Sequence, residues 1–204
     1  NGSTNTMIYE YGTVFEKKGE KLEDIDQINA LSCLVHGNLF DQNVHFEEVK
    51  NNLFFLKGLA NNIFKSLAKT NIKFIEEEQA YCDTFYKIID KKKNTVGSIG
   101  VVSNSFLKNM DIAHKTDVCL MDINTALFTD HYNHNIKVKD VILFPVVNRD
   151  LNFKLDADVK LGDVVAAMKS TNQSILQDII PVDIYQSQKE KSKKDVLFKL
   201  SFQS

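Results

Sequence analysis

Apolar and polar positions in this chain mostly alternate with a period of two, and a helical period of three to four residues appears in only a few places. Residues 7–15 are rich in β-branched and aromatic side chains and run into Lys17-Lys18-Gly19, which predicts a strand and then a turn. Residues 28–35 are mostly apolar and carry no charge. That pattern predicts a strand buried on both faces, ended by His36-Gly37. Residues 73–75 and 84–89 predict further strands, and Asp90-Lys91-Lys92-Lys93-Asn94 predicts the loop of a hairpin into 96–102. Over 118–123, Val118, Leu120 and Asp122 alternate with Cys119, Met121 and Ile123, again as in a strand.

The helical period is clearest over 46–67. Val49, Leu53, Leu56, Ala60, Ile63 and Leu67 recur at three- and four-residue steps and form one apolar stripe. Asn43 suits the N-cap, and Glu47 and Glu48 fall where the positive end of the helix dipole favours acid. Gly58 should weaken such a helix by about 1 kcal/mol, so its presence argues for close packing against a strand. Ser103 predicts the cap of a short helix holding Phe106, Leu107 and Met110. Later, Leu161, Val164, Val165 and Met168 share a helical face, with Asp158 offering a cap. Around that helix, three strand patterns follow from Leu151, Phe153 and Leu155; from Ile180, Val182 and Ile184; and from Val196, Phe198, Leu200 and Phe202.

A chain of 204 residues supports one or two domains with a real core, and 43% hydrophobic and 25% charged residues are ordinary globular values. The longest apolar runs, 99–102 and 141–147, are far too short to cross a bilayer, and residues 1–6 lack the basic-then-apolar design of a signal peptide. The start without methionine reads as a cut inside a longer chain, and the expectation is a cytoplasmic protein with no membrane partner. A net charge of -2 excludes nucleic-acid binding by bulk electrostatics, but it leaves room for local contact at Lys189, Lys191, Lys193 and Lys194. Cys33, Cys82 and Cys119 are few and widely spaced, which predicts reduced, largely buried thiols.

Residues 144–155 hold one of the chain's two prolines and its sole arginine. With lysine as every other basic residue, Arg149 marks a place for a planar, multi-donor fork. Pro145 suits the start of a strand and not its middle. The plainest reading is an edge strand with a surface Arg149–Asp150 pair. Other candidate groups also have plain readings. His36 reads as a strand-end histidine with a backbone partner, and the lysine run at 91–93 as a solvated turn. Gly97 and Gly100 fit no phosphate motif, since a strand follows directly. His131, His134 and His114 could share a zinc ion, but no cysteine is near in sequence and 129–139 looks like a linker. There is no nucleophile–base pair, phosphate loop or carboxylate pair in a plausible setting.

Taken together, Phe144-Pro145, Arg149-Asp150-Leu151, the helix predicted over 156–168, the Asp183-Ile184-Tyr185 strand and the closing run 200–204 resemble the C-terminal domain of bacterial phenylalanyl-tRNA synthetase β subunits. Asn148 stands where that family often has a second basic residue. The domain is ferredoxin-like and holds the anticodon region of tRNA. The order strand, helix, strand, strand is two-thirds of such a unit, and the family's second helix and final strand are absent. Tyr9, Glu10, Gly12, Val14 and Phe15, then Leu56-Lys57-Gly58, then Val96, Gly97 and Gly100 resemble the upstream segment of the same subunits. The resemblance implies an α+β chain. Residues 1–128 would be a class II synthetase-like antiparallel sheet flanked by helices and without catalysis. Residues 129–142 would be a linker, and 143–204 a truncated ferredoxin-like βαββ domain. Class II ligases grip ATP with arginines, and one arginine, in the second domain, cannot supply such a site.

The reading is therefore a fragment of the β subunit of an α₂β₂ phenylalanine–tRNA ligase, with scaffold and tRNA-binding roles, no catalytic residue and no metal of its own. ATP and magnesium belong to the parent enzyme. The partners implied are the α subunit and tRNA(Phe). If the second domain's helix covers one face of its sheet, the other face carries Asn152, Lys154, Asp183, Tyr185, Lys199 and Ser201. Arg149, Asn152, Lys154, Tyr185, Lys199, Lys191 and Lys193 are thus the candidate tRNA-binding residues. The alternative is a ferredoxin-like regulatory domain binding a small molecule, since fold alone does not decide function. Without the family's second helix, Val196, Phe198, Leu200 and Phe202 are expected to stand partly uncovered, so that this domain self-associates or is disordered.

Overall fold

In the computed structural model all twelve residues of β1 (Thr6–Lys17) pair antiparallel with the twelve of β2 (Ile25–His36), across a single 3₁₀ turn at Leu22–Asp24. An ion pair between Lys18 and Asp26 closes that hairpin. The structure describes residues 4–112, 116–126, 128, 144–171, 174–188 and 190–203. The chain divides into two units, residues 1–135 and 136–204.

In the first unit, β1 and β2 join β5 (Lys73–Glu77), β6 (Cys82–Ile89), β7 (Thr95–Val102) and β8 (Val118–Asn124) in one antiparallel sheet of order β1-β2-β8-β7-β6-β5. Helix α1 (Leu53–Leu67) lies on one face. Leu56, Ala60 and Phe64, at i, i+4 and i+8, seat on Val35, Ile88, Ile99, Cys119, Met121 and Ile123. The short helix α2 (Asn104–Asn109) covers one end of the opposite face, where Leu107 packs with Val102 and Val118. Ser103 caps it as expected, accepting from the Phe106 amide at 3.3 Å. The lysine run forms the predicted tight hairpin loop, held by Asp90, whose carboxylate accepts the Asn94 amide at 2.8 Å. His36 meets Thr116 Oγ1 at 3.1 Å and the Asp117 carbonyl at 3.4 Å, which bears out its structural reading.

Four expectations for this unit are corrected. The helix starts at Leu53 rather than 46, because Val49–Lys50 are taken as strand β4 by β3 (Asn38–Phe40). Asn52, in extended conformation, is the cap and accepts the Phe55 amide at 3.0 Å, while Asn43 turns its side chain to the His45 amide. Gly58 is exposed, and a β-carbon there would meet nothing within 4 Å, so it is not a packing glycine. In β2 only Val35 is fully buried over 28–35, because α1 and α2 cover one end of the strand more than the other.

The second unit is β9 (Val147–Asp156), α3 (Leu161–Thr171), β10 (Leu176–Tyr185) and β11 (Lys193–Phe202), with sheet order β10-β11-β9. Strand β11 runs antiparallel to both neighbours, so β9 and β10 are parallel and joined through α3, a split βαβ followed by a returning strand. Leu161, Val164, Val165 and Met168 pack on Ile179, Val196, Phe198 and Leu200. Phe153 and Phe198 meet edge to face at 5.9 Å. The α+β class and both sheet types are as the sequence implies.

Here too the sequence reading needs correction. Val196, Phe198 and Leu200 are not left uncovered; α3 and the neighbouring strands bury all three. Ile180, Val182 and Ile184 are exposed instead, and past a register break between Leu176 and Asp178 it is Ile179, not Ile180, that lies in the core. Helix α3 begins at Leu161, so Asp158 precedes it and makes no capping bond among the described residues. The zinc candidates His114, His131 and His134 and the whole of the linker at 129–142 lie outside the described residues.

Candidate functional site

Cross-strand register in the second unit decides which side chains can act together. Directly opposed residues of an antiparallel pair project from the same face. Three rows follow on the face away from α3: Asp150–Lys199–Ile180, Asn152–Leu197–Asp183 and Lys154–Asp195–Tyr185. Ser201 and Asn148 continue the pattern and bond each other at 2.8 Å. Asn152, Lys154, Tyr185 and Lys199, far apart in sequence, therefore share one open face.

Tyr185 is 63% exposed, and its ring lies at the end of a strand beside polar neighbours. Among the described residues, the side chains of Tyr185, Asn152 and Lys199 have no hydrogen-bond or ion-pair partner. Lys154 is engaged: its ammonium meets Glu190 at 2.8 Å, and that hydrogen bond holds it above the usual lysine range. Lys193 lies on the same face at its edge and pairs with Asp156 at 2.5 Å. Lys191 is exposed in the loop before β11, whose shape is fixed by Gln186 donating to the Lys191 carbonyl at 2.7 Å. Lys194 spends its charge on the Ala157 and Val159 carbonyls at 2.8 and 2.6 Å, bracing the turn before α3.

Arg149 is separated from this set. It opposes Leu200 and so projects from the α3 face at the sheet edge, exposed and unpaired among the described residues. Asp150 projects from the other face, and the surface Arg149–Asp150 pair is not formed. Of the acid on the open face, sequence reasoning named only Asp183. Asp150, Asp156, Asp178, Asp183 and Asp195 stand there against Lys154, Lys193 and Lys199. Period-two alternation along each strand carries part of that signal, but only the register between strands adds it up. Such a face is suited to stacking and hydrogen bonding of unpaired bases, with few contacts to phosphate.

Among the described residues, the first unit offers no phosphate-binding pocket. A cleft of about 700 Å³ at the β5–β6 turn is rimmed by Glu76, Glu77, Glu78 and Asp83, whose charges oppose a nucleotide's phosphates. Gly97 and Gly100 lie inside β7, where each lets a neighbouring strand approach closely. Among the described residues, no group of three or more His, Cys, Asp or Glu is placed to hold a metal ion. Among the described residues, no helix is long and apolar enough to cross a membrane.

Comparison with known proteins divides the chain similarly. Residues 1–125 match the family described as phenylalanyl tRNA synthetase beta chain CLM domain, and residues 143–204 match the ferredoxin-fold anticodon binding domain. Among similar proteins is the phenylalanine–tRNA ligase beta subunit of Lactococcus lactis, 23% identical over 202 residues, covering 98% of this chain and 25% of that protein. That of Francisella tularensis is 32% identical over 111 residues, 54% of this chain and 13% of its own. The Protochlamydia amoebophila subunit is 25% identical over 197 residues, 89% of this chain and 22% of its own. The chain thus spans about a quarter of the length of the relatives it matches along most of its own length.

Proposed function

Because the chain belongs to the phenylalanyl tRNA synthetase beta chain family, we propose that it acts as part of a phenylalanine–tRNA ligase, with its second unit holding the anticodon arm of tRNA(Phe). The observation that carries this reading is the open sheet face of an anticodon-binding-type domain with Tyr185 exposed and unpartnered on the same face as Asn152 and Lys199. On this reading Tyr185 stacks on a base of the single-stranded loop, and Asn152 and Lys199 supply neutral and charged donors. Lys154 and Lys193 act through their ion pairs as fixed parts of the face, while Arg149 and Lys191 reach phosphates at its margins.

The first unit serves as a scaffold for the α subunit of an α₂β₂ assembly, and aminoacylation with ATP and magnesium belongs to that partner. This chain's own residues do not fit an ATP site, with acid at the cleft and the single arginine in the other unit. The functional division we propose is 1–128 for the scaffold, 129–142 for the linker and 143–204 for tRNA, in a cytoplasmic protein. The rival reading, a small-molecule regulator, has no counterpart among the matched families.

The test is binding of this chain to an anticodon stem-loop of tRNA(Phe). Tyr185→Ala should weaken it by about 1–3 kcal/mol, the worth of one stacked base. The salt dependence should be shallow, with only about two to three phosphates neutralised. Unchanged affinity in a folded Tyr185→Ala variant removes the stacking role.

A further inference from the structure

Two lysines of the first unit hold backbone conformations that glycine usually takes. Lys69 follows the Ala68 C-cap of α1 with φ +47°, and Lys93 ends the tight β6–β7 loop with φ +68°. Glycine is favoured at both kinds of place, because a β-carbon strains the left-handed backbone. Lysine at both therefore gives up stability for charge. The two belong to one end of the unit. Lys65 lies one turn before Lys69 on α1, and Lys73 opens β5 and pairs with Ile89, the residue before the loop Asp90–Asn94. Lys91 and Lys92 complete the set, and all six lysines are exposed. Between residues 62 and 75, and between 84 and 98, the sole carboxylate is Asp90. It is buried and turned inward, accepting the Asn94 amide at 2.8 Å and its side chain at 3.1 Å. Among the described residues, Lys65, Lys73, Lys91 and Lys93 form no ion pair.

We propose that this end of the first unit holds the phosphate backbone of an RNA duplex. Ser66, Asn71, Asn94 and Thr95 stand exposed among the lysines, and such amides and hydroxyls bond phosphate and sugar oxygens. Residues 65–73 and 90–95 include no aromatic. The centre of a protein–protein interface is rich in aromatics and poor in lysine, so an acidic protein fits this end less well. Single strands need aromatic platforms for their bases, whereas an A-form duplex is held through phosphates and 2′-hydroxyls. The acid of the same strands lies at their other end, where Glu76, Glu77, Glu78 and Asp83 rim the cleft. Charge in this part of the unit is thus polarised, and its field steers a polyanion to the lysines. The choice of RNA as the polyanion rests on the proposed function, but the contact uses neither Tyr185 nor the second unit's sheet.

The test is the affinity of this chain for a blunt RNA duplex without an anticodon loop, measured by fluorescence anisotropy over a range of salt. Log affinity should fall with log salt at a slope of about −3 to −4, for about four phosphates neutralised. Lys91→Gln with Lys93→Gln, and separately Lys65→Gln with Lys73→Gln, should each flatten the slope by about two and weaken binding at low salt at least about tenfold. Lys50→Gln with Lys108→Gln removes the same charge from exposed positions elsewhere and should change neither. Lys93→Gly relieves the left-handed lysine, so it should raise the urea midpoint of the first unit and still flatten the slope by about one. Tyr185→Ala should leave duplex affinity unchanged, so a failed stacking role, read on the stem-loop, is separate from a failure here. No duplex binding at low salt overturns the proposal, as does a slope that both lysine pairs leave at the control value. Polyglutamate bound as tightly as the duplex also overturns it, and makes this end a dock for acidic protein.

Discussion

Gly58→Ala and Gly97→Ala add the same methyl group and should move stability in opposite directions. Gly58 lies inside α1 on its exposed side, and the new β-carbon meets no atom within 4 Å. Alanine there restricts the unfolded chain and suits the helix, so the first unit should gain about 1 kcal/mol. Gly97 lies in β7, between β6 and β8 at the middle of the six-stranded sheet. Its β-carbon would sit 2.3 Å from the Asp122 carbonyl oxygen and 3.1 Å from the Ile123 Cα. Both are backbone atoms that cannot turn aside as a side chain would, so β8 must shift. Overpacking of a core costs about 1–3 kcal/mol, and the backbone contact argues for the upper end of that range or beyond. The assay is urea unfolding by circular dichroism, with hydrogen exchange assigning the transition to the first unit. With a slope of about 1–3 kcal/mol per molar urea, Gly58→Ala raises the midpoint by roughly 0.3–1 M. Gly97→Ala lowers it by at least as much. A lower midpoint for Gly58→Ala, or an unchanged one for Gly97→Ala, would refute the packing assigned to these positions.

Further outcomes follow from single contacts. Asn52→Ala removes the α1 cap and should cost about 1 kcal/mol, whereas Asn43→Ala should stay within about 0.5 kcal/mol, and urea midpoints separate them. Phe198→Ala empties a site with 0% exposure next to Phe153; it should cost about 3–5 kcal/mol and strip exchange protection from the second unit while the first keeps its own. Burial pushes the Cys119 thiol up to about 12 and raises Cys33 and Cys82 as well, so at pH 8 less thiolate is present than in the unfolded chain. Iodoacetamide should therefore leave Cys119 unmodified in the native protein and label all three thiols in urea; rapid native labelling of Cys119 would contradict its burial.

The sequence by itself determined most strands of both units, though not β3 and β4, and also the hairpin at Asp90–Asn94 and the Ser103 cap, because these depend on neighbours within a few residues. It determined the family as well, through short motifs carried at fixed spacing along nearly the whole chain. The start of α1 was not legible. Val49 fits the helical stripe, but β3 recruits it, and a distant strand competes successfully with a local period. Gly58 was misread because sequence shows that a side chain is missing and not what surrounds it. In β10, a displaced register exchanged Ile180 for Ile179 in the core. The candidate site was half legible for the same reason. Alternation along β9, β10 and β11 placed Asn152, Lys154, Tyr185 and Lys199 on one face, since side-chain direction follows parity within a strand. Only tertiary structure decided that Lys154 is tied to Glu190, that five aspartates share the face, and that Arg149 lies on the other side. Those facts depend on pairing between segments far apart in sequence, where the energy of the whole sheet, and no local preference, sets which residues meet.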